Sequence, residues 1–155
     1  MNSKSISRIL IAVTPMMLVC VVLGLGASAV AQGPGTGPCS NRTIFGKYGF
    51  SSQGQVLPVP GQAFPFTATG IVTFDGKGNV SWVEHTVIGG AQQGADWTAA
   101  SGTYTVNSDC TGLMVVVTPN SPVPLHIFFS VVQQGKQLYS VVNGHAIYGV
   151  WTRLD

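Results

Sequence analysis

Residues 66–88 read FTATGIVTFDGKGNVSWVEHTVI, and this stretch decides the fold of the chain. It holds two runs rich in Val, Ile, Thr, Phe and Trp, residues 66–74 and 80–88, on either side of Asp75-Gly76-Lys77-Gly78-Asn79. Because Gly and Asn accept the positive φ angles that tight turns require, the two runs are predicted to pair as an antiparallel hairpin.

The same pattern fills almost everything after residue 42. Further turn sequences lie at 107–112, 134–136 and 143–145, and no stretch keeps apolar residues at helical spacing. The predicted strands are residues 43–53, 66–74, 80–88, 97–106, 113–118, 125–133, 137–142 and 146–154. Eight sequential strands joined by hairpins predict an all-β protein, an eight-stranded antiparallel up-and-down barrel.

The lengths of the connections predict which end of the barrel is open. Alternate connections of a meander lie at the same end, and the longer ones are the first, third and fifth, residues 54–65, 89–96 and 119–124. Variable loops are the usual place for a binding-site mouth. We therefore expect a mouth between these three connections and a closed opposite end.

The N-terminus has the features of an export signal. Lys4 and Arg8 precede an apolar stretch, residues 9–23, and Ala29-Val30-Ala31 is a small-residue cleavage motif. The alternative is a retained membrane anchor, because residues 9–31 just reach the roughly 20 apolar residues of a spanning helix. The interpretation preferred here is a cleaved signal, which leaves no stable membrane anchor and a secreted or periplasmic protein.

This interpretation divides the chain into a signal peptide (1–31), a flexible lead-in rich in Gly and Pro (32–42) and a barrel domain (43–155). The whole chain has seven basic and five acidic residues and a formal charge of +2, but Lys4 and Arg8 belong to the signal. The remaining charges balance, and no basic stripe is left to neutralise a phosphate backbone. Nucleic-acid binding is therefore not expected.

Two of the three cysteines, Cys39 and Cys110, remain after the signal that contains Cys20 is removed. An even pair in an exported chain predicts a disulfide. The connection parity supports this pairing, because it places both residues at the closed end.

Four segments carry a resemblance to known proteins. They are GKYGF (46–50), FDGKGNV (74–80), GTYTVNSDCTG (102–112) and GVWTR (149–153). They resemble a family of small exported bacterial β-barrel proteins whose activity is uncharacterised, and the resemblance implies a barrel with a cysteine pair. More distantly, the layout is similar to calycins such as lipocalins and avidins, and to allene oxide cyclase or dirigent barrels. Lipocalins carry Gly-x-Trp in the first strand and Arg in the last, whereas this chain has Gly46-Lys47-Tyr48 and Arg153.

Tyr48 and Arg153 belong to strands that pair when the barrel closes. The guanidinium is expected to stack on the ring as a structural latch near the closed end. Aromatic residues in several strands could form a ligand pocket or could simply fill the core. The residues assigned to ligand binding are Trp82, Trp97, Phe128 and His126, and the other aromatics considered are Trp151 and Phe129.

Glu84 is the only glutamate of the chain, and its role depends on which face of its strand points inward. If Val83, His85 and Val87 face the interior, Glu84 is solvated and His85 is the interior polar residue. This arrangement is the preferred one. If Trp82 faces the interior instead, Glu84 is buried and becomes a possible acid or base with a raised pKa.

The sequence assigns no catalytic residue, metal site or cofactor. The three histidines, His85, His126 and His145, have no partner at metal-ligand spacing. No nucleophile elbow accompanies the serines.

The predicted function is binding of a small apolar or amphipathic ligand, or of an extracellular partner, at the open end. One alternative is a cyclase or isomerase in which Glu84, Tyr139 or Tyr148 moves a proton. The other is a structural or surface-interaction protein with a filled core.

Overall fold

The computed structural model describes residues 38–155, so the predicted signal of residues 1–31 lies outside the described residues. Within that range the secondary structure consists of nine strands and two short 3-10 helices, Asn41–Ile44 and Gln133–Gly135. The strands are β1 (Gly46–Val56), β2 (Phe64–Phe74), β3 (Asn79–Ile88), β4 (Ala91–Gln92), β5 (Thr98–Val106), β6 (Thr111–Val117), β7 (Leu125–Val132), β8 (Gln137–Val142) and β9 (Ala146–Arg153). No helix in this part of the chain is long and apolar enough to cross a membrane.

Eight of these strands close into a barrel. Each pairs antiparallel with its neighbours in the order β1, β2, β3, β5, β6, β7, β8 and β9, and β9 returns to β1. The two-residue strand β4 pairs only with the last residues of β3, Val87 and Ile88. The predicted eight-stranded antiparallel up-and-down barrel is confirmed.

The first strand begins later than the sequence indicated. Residues 41–44 form a 3-10 helix rather than a lead-in and a strand start, and Ile44 is fully buried. The side chain of Asn41 accepts a hydrogen bond of 2.7 Å from the backbone N–H of Val106 in β5. The end of the predicted lead-in is therefore packed against the closed end of the barrel.

Aromatic side chains fill the half of the barrel nearest this end. Phe50 stacks on Trp151 with ring centroids 5.0 Å apart, and Trp82 meets Trp151 edge to face at 5.9 Å. Below them, Phe74 packs edge to face against Tyr104 at 4.9 Å and Tyr48 at 5.5 Å.

Glycines make room for these rings. A Cβ atom on Gly112 would lie only 2.2 Å from the ring of Phe129, and one on Gly70 would lie 2.8 Å from the ring of Phe50. In both cases the glycine lies directly opposite the ring on the neighbouring strand, so the ring packs over it and the interior reaches native density. These rings belong to the buried hydrophobic core.

The closed end is tied by a disulfide and by well-bonded turns. Cys39 and Cys110 form the predicted disulfide, with Cα atoms 5.0 Å apart. In the β2–β3 turn, the carboxylate of Asp75 accepts hydrogen bonds from the backbone N–H groups of Lys77, Gly78 and Asn79. Hydrogen bonds from the side chain and backbone of Asn79, and then from Lys77, lower the pKa of Asp75 to about 2.

Tyr48 and Arg153 are in contact across the β1–β9 pairing. The guanidinium carbon of Arg153 lies 5.3 Å from the ring centroid, and Nη2 donates to the Tyr48 hydroxyl at 2.9 Å and to the carbonyl of Thr43 at 2.8 Å. The Tyr48 hydroxyl donates in turn to the carbonyl of Gly135. Burial raises the pKa of Tyr48, so the hydroxyl keeps the proton that it donates. Gly135 packs against the backbone of Thr43 in this cluster. A side chain at position 135 would not fit, because its Cβ would lie 2.2 Å from the Thr43 carbonyl oxygen.

The disulfide is expected to contribute strongly to stability. It links residues 71 positions apart, and cross-linking a loop of that size destabilises the unfolded chain by about 4 kcal/mol. The Cys39→Ala/Cys110→Ala variant should lose roughly this free energy of unfolding in a urea titration of the oxidised wild type and the variant. Reduced wild type is the control: if reduction lowers the free energy of unfolding by the same amount as the double substitution, the loss is due to the missing cross-link. A loss below about 1 kcal/mol in the variant would contradict the prediction.

The Tyr48–Arg153 contact is expected to act as one unit. Arg153→Met and Tyr48→Phe should each cost about 1–3 kcal/mol, because each leaves a buried carbonyl or hydroxyl without its partner. In a double-mutant cycle the two losses should be less than additive by more than about 0.5 kcal/mol. Additive losses in the free energy of unfolding would show that no latch exists.

Candidate functional site: a cavity at the open end

The open end of the barrel contains a cavity of about 280 Å³. It lies above the aromatic half, where the inward-facing side chains become smaller. The apolar part of its lining comes from strands and loops all round the mouth: Val56, Leu57, Pro58, Phe66, Ile88, Pro122, Val123, Leu125, Val142 and Ile147. The polar part is smaller and consists of Glu84, Thr86, Thr118, Asn120, Ser121 and His145.

Glu84 is the ionisable group at the base of this cavity, and only 7 % of its surface is exposed. Its Oε1 accepts a hydrogen bond of 2.9 Å from the Thr118 hydroxyl and a longer one of 3.5 Å from the Asn120 side-chain amide. Both of these hydrogen bonds go to the same carboxyl oxygen, Oε1. Thr118 and Asn120 therefore hold the carboxyl through one of its two oxygens.

Burial raises the pKa of Glu84 above the ordinary value of 4.5. The hydrogen bonds from Thr118 and Asn120 offset part of this effect. The Trp82 indole N–H acts in the same direction, although it does not complete a hydrogen bond of ordinary geometry. The site thus holds a carboxyl that favours its protonated form but is surrounded by donors that stabilise its ionised form.

Three buried polar atoms near Glu84 have no hydrogen-bond partner in the described part of the chain. They are Trp82 Nε1, Thr86 Oγ1 and Thr98 Oγ1. Trp82 and Thr86 precede and follow Glu84 on the inner face of β3, and Thr98 is its direct partner on β5. Buried polar groups are nearly always bonded, so an unpaired group of this kind calls for an explanation.

The mouth is partly closed by a contact between the first connection and the seventh, which is the turn at residues 143–145. The backbone N–H of Leu57 donates a hydrogen bond of 3.1 Å to His145 Nδ1. Both residues line the cavity.

The mouth differs from the predicted one in one connection. The first and fifth connections line the cavity as expected, but the third contributes no lining residue between positions 89 and 97. Its strand β4 pairs with Val87 and Ile88 at the end of β3, which holds it in the wall. The short seventh connection contributes His145 in its place.

The four residues assigned to ligand binding are not brought together. Trp82 lies inside, under Glu84. Trp97 is 59 % exposed and contacts the ring of His85 on the outer surface, while Phe128 is 48 % exposed and His126 is also outside. The strand alternation explains this, because Thr98 takes the inward position next to Trp97, and the neighbours of Phe128, Ile127 and Phe129, are both buried.

The structure also decides the orientation of β3. Trp82, Glu84 and Thr86 face inward, so the preferred arrangement, with Glu84 in solvent and His85 inside, is not the one adopted. The two tyrosines considered as proton carriers, Tyr139 and Tyr148, are 48 % and 51 % exposed on the outer wall. Neither lines the cavity.

The residues that sequence reasoning did not assign to the site are Thr86, Thr118, Asn120 and His145. Thr86 follows from the alternation once Trp82 is known to face inward. His145 lies in a connection that parity places at the open end. Thr118 and Asn120 reach Glu84 across 34 and 36 residues of sequence, and nothing in the local pattern announces that contact.

No group of three or more His, Cys, Asp or Glu side chains among residues 38–155 is arranged to hold a metal ion. Comparison of the sequence with protein-family models and with curated proteins finds no match.

The buried carboxyl should give stability a measurable pH dependence. As pH rises above 4.5, the unfolded chain loses the Glu84 proton before the folded protein does, so the free energy of unfolding falls. Glu84→Gln removes this loss while keeping an acceptor for Thr118. The stability of the variant relative to wild type should therefore increase from pH 4.5 upward, until the folded-state pKa is passed. Urea titrations of both proteins between pH 4 and pH 8 measure this, and a difference that stays constant with pH would show that Glu84 is solvated.

Proposed function

We propose that this protein is an exported barrel that binds one small amphipathic molecule in its open-end cavity. The observation that carries the proposal is the arrangement around Glu84. An apolar cavity has at its base a buried carboxyl that Thr118 and Asn120 hold through one oxygen, in a barrel whose other half is filled by aromatic rings. A protein with only a structural role has no need of this combination, since an apolar residue at position 84 would avoid the cost of burying a carboxyl.

The size of the cavity limits the ligand. An engineered protein cavity of about 150 Å³ accommodates benzene. A volume of about 280 Å³ therefore suits a compound of one or two rings, or a short branched chain. The apolar part would contact residues such as Phe66, Leu125 and Ile147, and the polar group would reach Glu84.

Export is the second part of the proposal. It is supported by the signal-like residues 1–31 and by the Cys39–Cys110 disulfide, since disulfides persist in oxidising compartments. The likeness of the layout to calycin barrels, many of which bind small ligands, supports the binding role.

A cyclase or isomerase is the second candidate function, and one observation favours it. Glu84 is a buried carboxyl with a raised pKa inside a cavity, which is the environment of a general acid at neutral pH. Thr118 and Asn120 would orient it by holding Oε1. The tyrosines on the outer wall would take no part.

Binding in the cavity can be tested by filling it. The Val142→Trp variant places a large side chain in the cavity, and Val141→Trp places the same side chain on the outer face of the same strand. Fluorescence titration with 2-naphthol should show saturable binding to wild type and Val141→Trp, with at least a tenfold loss for Val142→Trp. Far-ultraviolet circular dichroism checks that both variants are folded.

Equal binding by all three proteins would place the ligand elsewhere and contradict the proposal. Native mass spectrometry of protein purified from its own host identifies a retained ligand. Incubation of that compound with fresh protein then separates the two candidate functions. Recovery of the unchanged compound supports a binding protein, and recovery of an isomer of the same mass supports the enzyme.

A further inference from the structure

The charged residues of the barrel are divided between its two ends. All five lysines and arginines of residues 38–155 lie at the closed end. They occupy the first 3-10 helix, the start of β1, the β2–β3 and β7–β8 turns and the last residue of β9: Arg42, Lys47, Lys77, Lys136 and Arg153. In the open half of the described chain the only Asp and Glu residues are Glu84 and Asp96. The lining of the mouth therefore contains one carboxyl, Glu84, and no lysine or arginine.

Among residues 38–155 Glu84 has no cationic partner; burial disfavours its charged form, and only its hydrogen-bond donors stabilise the carboxylate. The Thr118 hydroxyl and the Asn120 amide donate to Oε1, and the Trp82 N–H also favours the charged form. A carboxyl meant to act as a hydrogen-bond donor would instead be surrounded by acceptors. What the site lacks for an ionised Glu84 is a positive charge close to Oε2.

Thr86 provides a second acceptor on the same side. Its Oγ1 is buried, has no partner in the described chain, and lies one inward position closer to the mouth on β3. Residues two apart on a strand point to the same face. A head group with several N–H donors can donate hydrogen bonds to both Glu84 and Thr86. A head group without donors can bond neither the Glu84 carboxylate nor Thr86 Oγ1 as an acceptor.

We propose that the ligand of this cavity carries a protonated amine, which pairs with Glu84 Oε2 while its apolar part occupies the cavity. This inference rests on the proposed binding function and names the class of ligand. A ligand carboxylate would meet Glu84 without a compensating cation. The ammonium supplies the missing charge, and Thr86 Oγ1 accepts from a second N–H.

The other groups near Glu84 on β2, β5 and the fifth connection are uncharged: Gly70, Thr98, Thr118 and Asn120. His145, at the mouth, is the other titratable residue of the cavity lining.

The test compares three ligands that share one ring system, namely 2-naphthylmethylamine, 2-naphthylmethanol and 2-naphthoic acid. Titration calorimetry of the full mature protein at pH 7.5 should give an affinity for the amine at least tenfold above that for the alcohol, and no detectable binding of the acid. In Glu84→Gln the ratio of the amine and alcohol affinities should fall to about one. In the matched control Asp96→Asn, which removes the other acidic charge of the open half, the ratio should stay at least fivefold.

The pH dependence gives a readout that does not depend on the fold of the variant. Because pairing requires the carboxylate, the wild-type affinity for the amine should rise with pH as Glu84 loses its proton, while the affinity for the alcohol should not. An alcohol or acid that binds wild type as tightly as the amine overturns the inference and leaves the binding function standing. Failure of all three compounds to bind contradicts the binding function and the ligand class together.

Discussion

The pairing of β1 with β9 is the constraint on which the rest of this structure depends. It joins the two ends of the barrel chain through eight residue pairs, from Tyr48 with Arg153 to Gln55 with Ala146. At one end of this seam Arg153 contacts Tyr48. In its middle Phe50 stacks on Trp151, and at its open end the first and seventh connections come within hydrogen-bonding distance through Leu57 and His145. Without the seam the sheet would have two free edges, which are prone to pairing with other chains. The cavity would also lose the wall between Val56 and Ile147.

The position of the cavity follows from a change of side-chain size along the inner faces of the strands. On β3, the inward positions run from Val80 and Trp82 to Glu84, Thr86 and Ile88. The large rings thus end at the level of Trp82, and smaller or polar groups continue toward the mouth. Close packing leaves few voids in a protein interior, so a region where the inner layer is not filled is a specific feature of the sequence. The buried carboxyl of Glu84 and the buried hydroxyls of Thr86 and Thr98 lie at this boundary.

The sequence predicts the barrel well because the signals for strands and turns are local. Turns such as Asp75–Asn79 fix the hairpins, and connection parity places Cys39 and Cys110 at one end, where they form a disulfide. The site is harder to predict, because it depends on which face of each strand points inward. Both faces of β3 and its neighbours carry apolar residues, and Ile71 and Val83 remain 44 % and 43 % exposed outside. Hydrophobicity therefore does not decide whether Glu84 or His85 faces inward. Packing with Phe50 and Trp151, which places Trp82 inside, decides it.

Glu84 is the residue that most strongly supports the proposed binding function. A glutamine at this position would fill the same space and would accept from Thr118 without the cost of burying an ionisable group. A carboxyl is instead retained in a place where burial raises its pKa, and three donors surround it. Such an arrangement lowers the free energy of unfolding at neutral pH. A ligand of opposite charge that binds only the folded state would reverse this loss, because it stabilises that state. Stability and ligand binding are then linked through one side chain. Under the proposed binding function, the cost of burying this carboxyl is offset when the charged group of the ligand pairs with it.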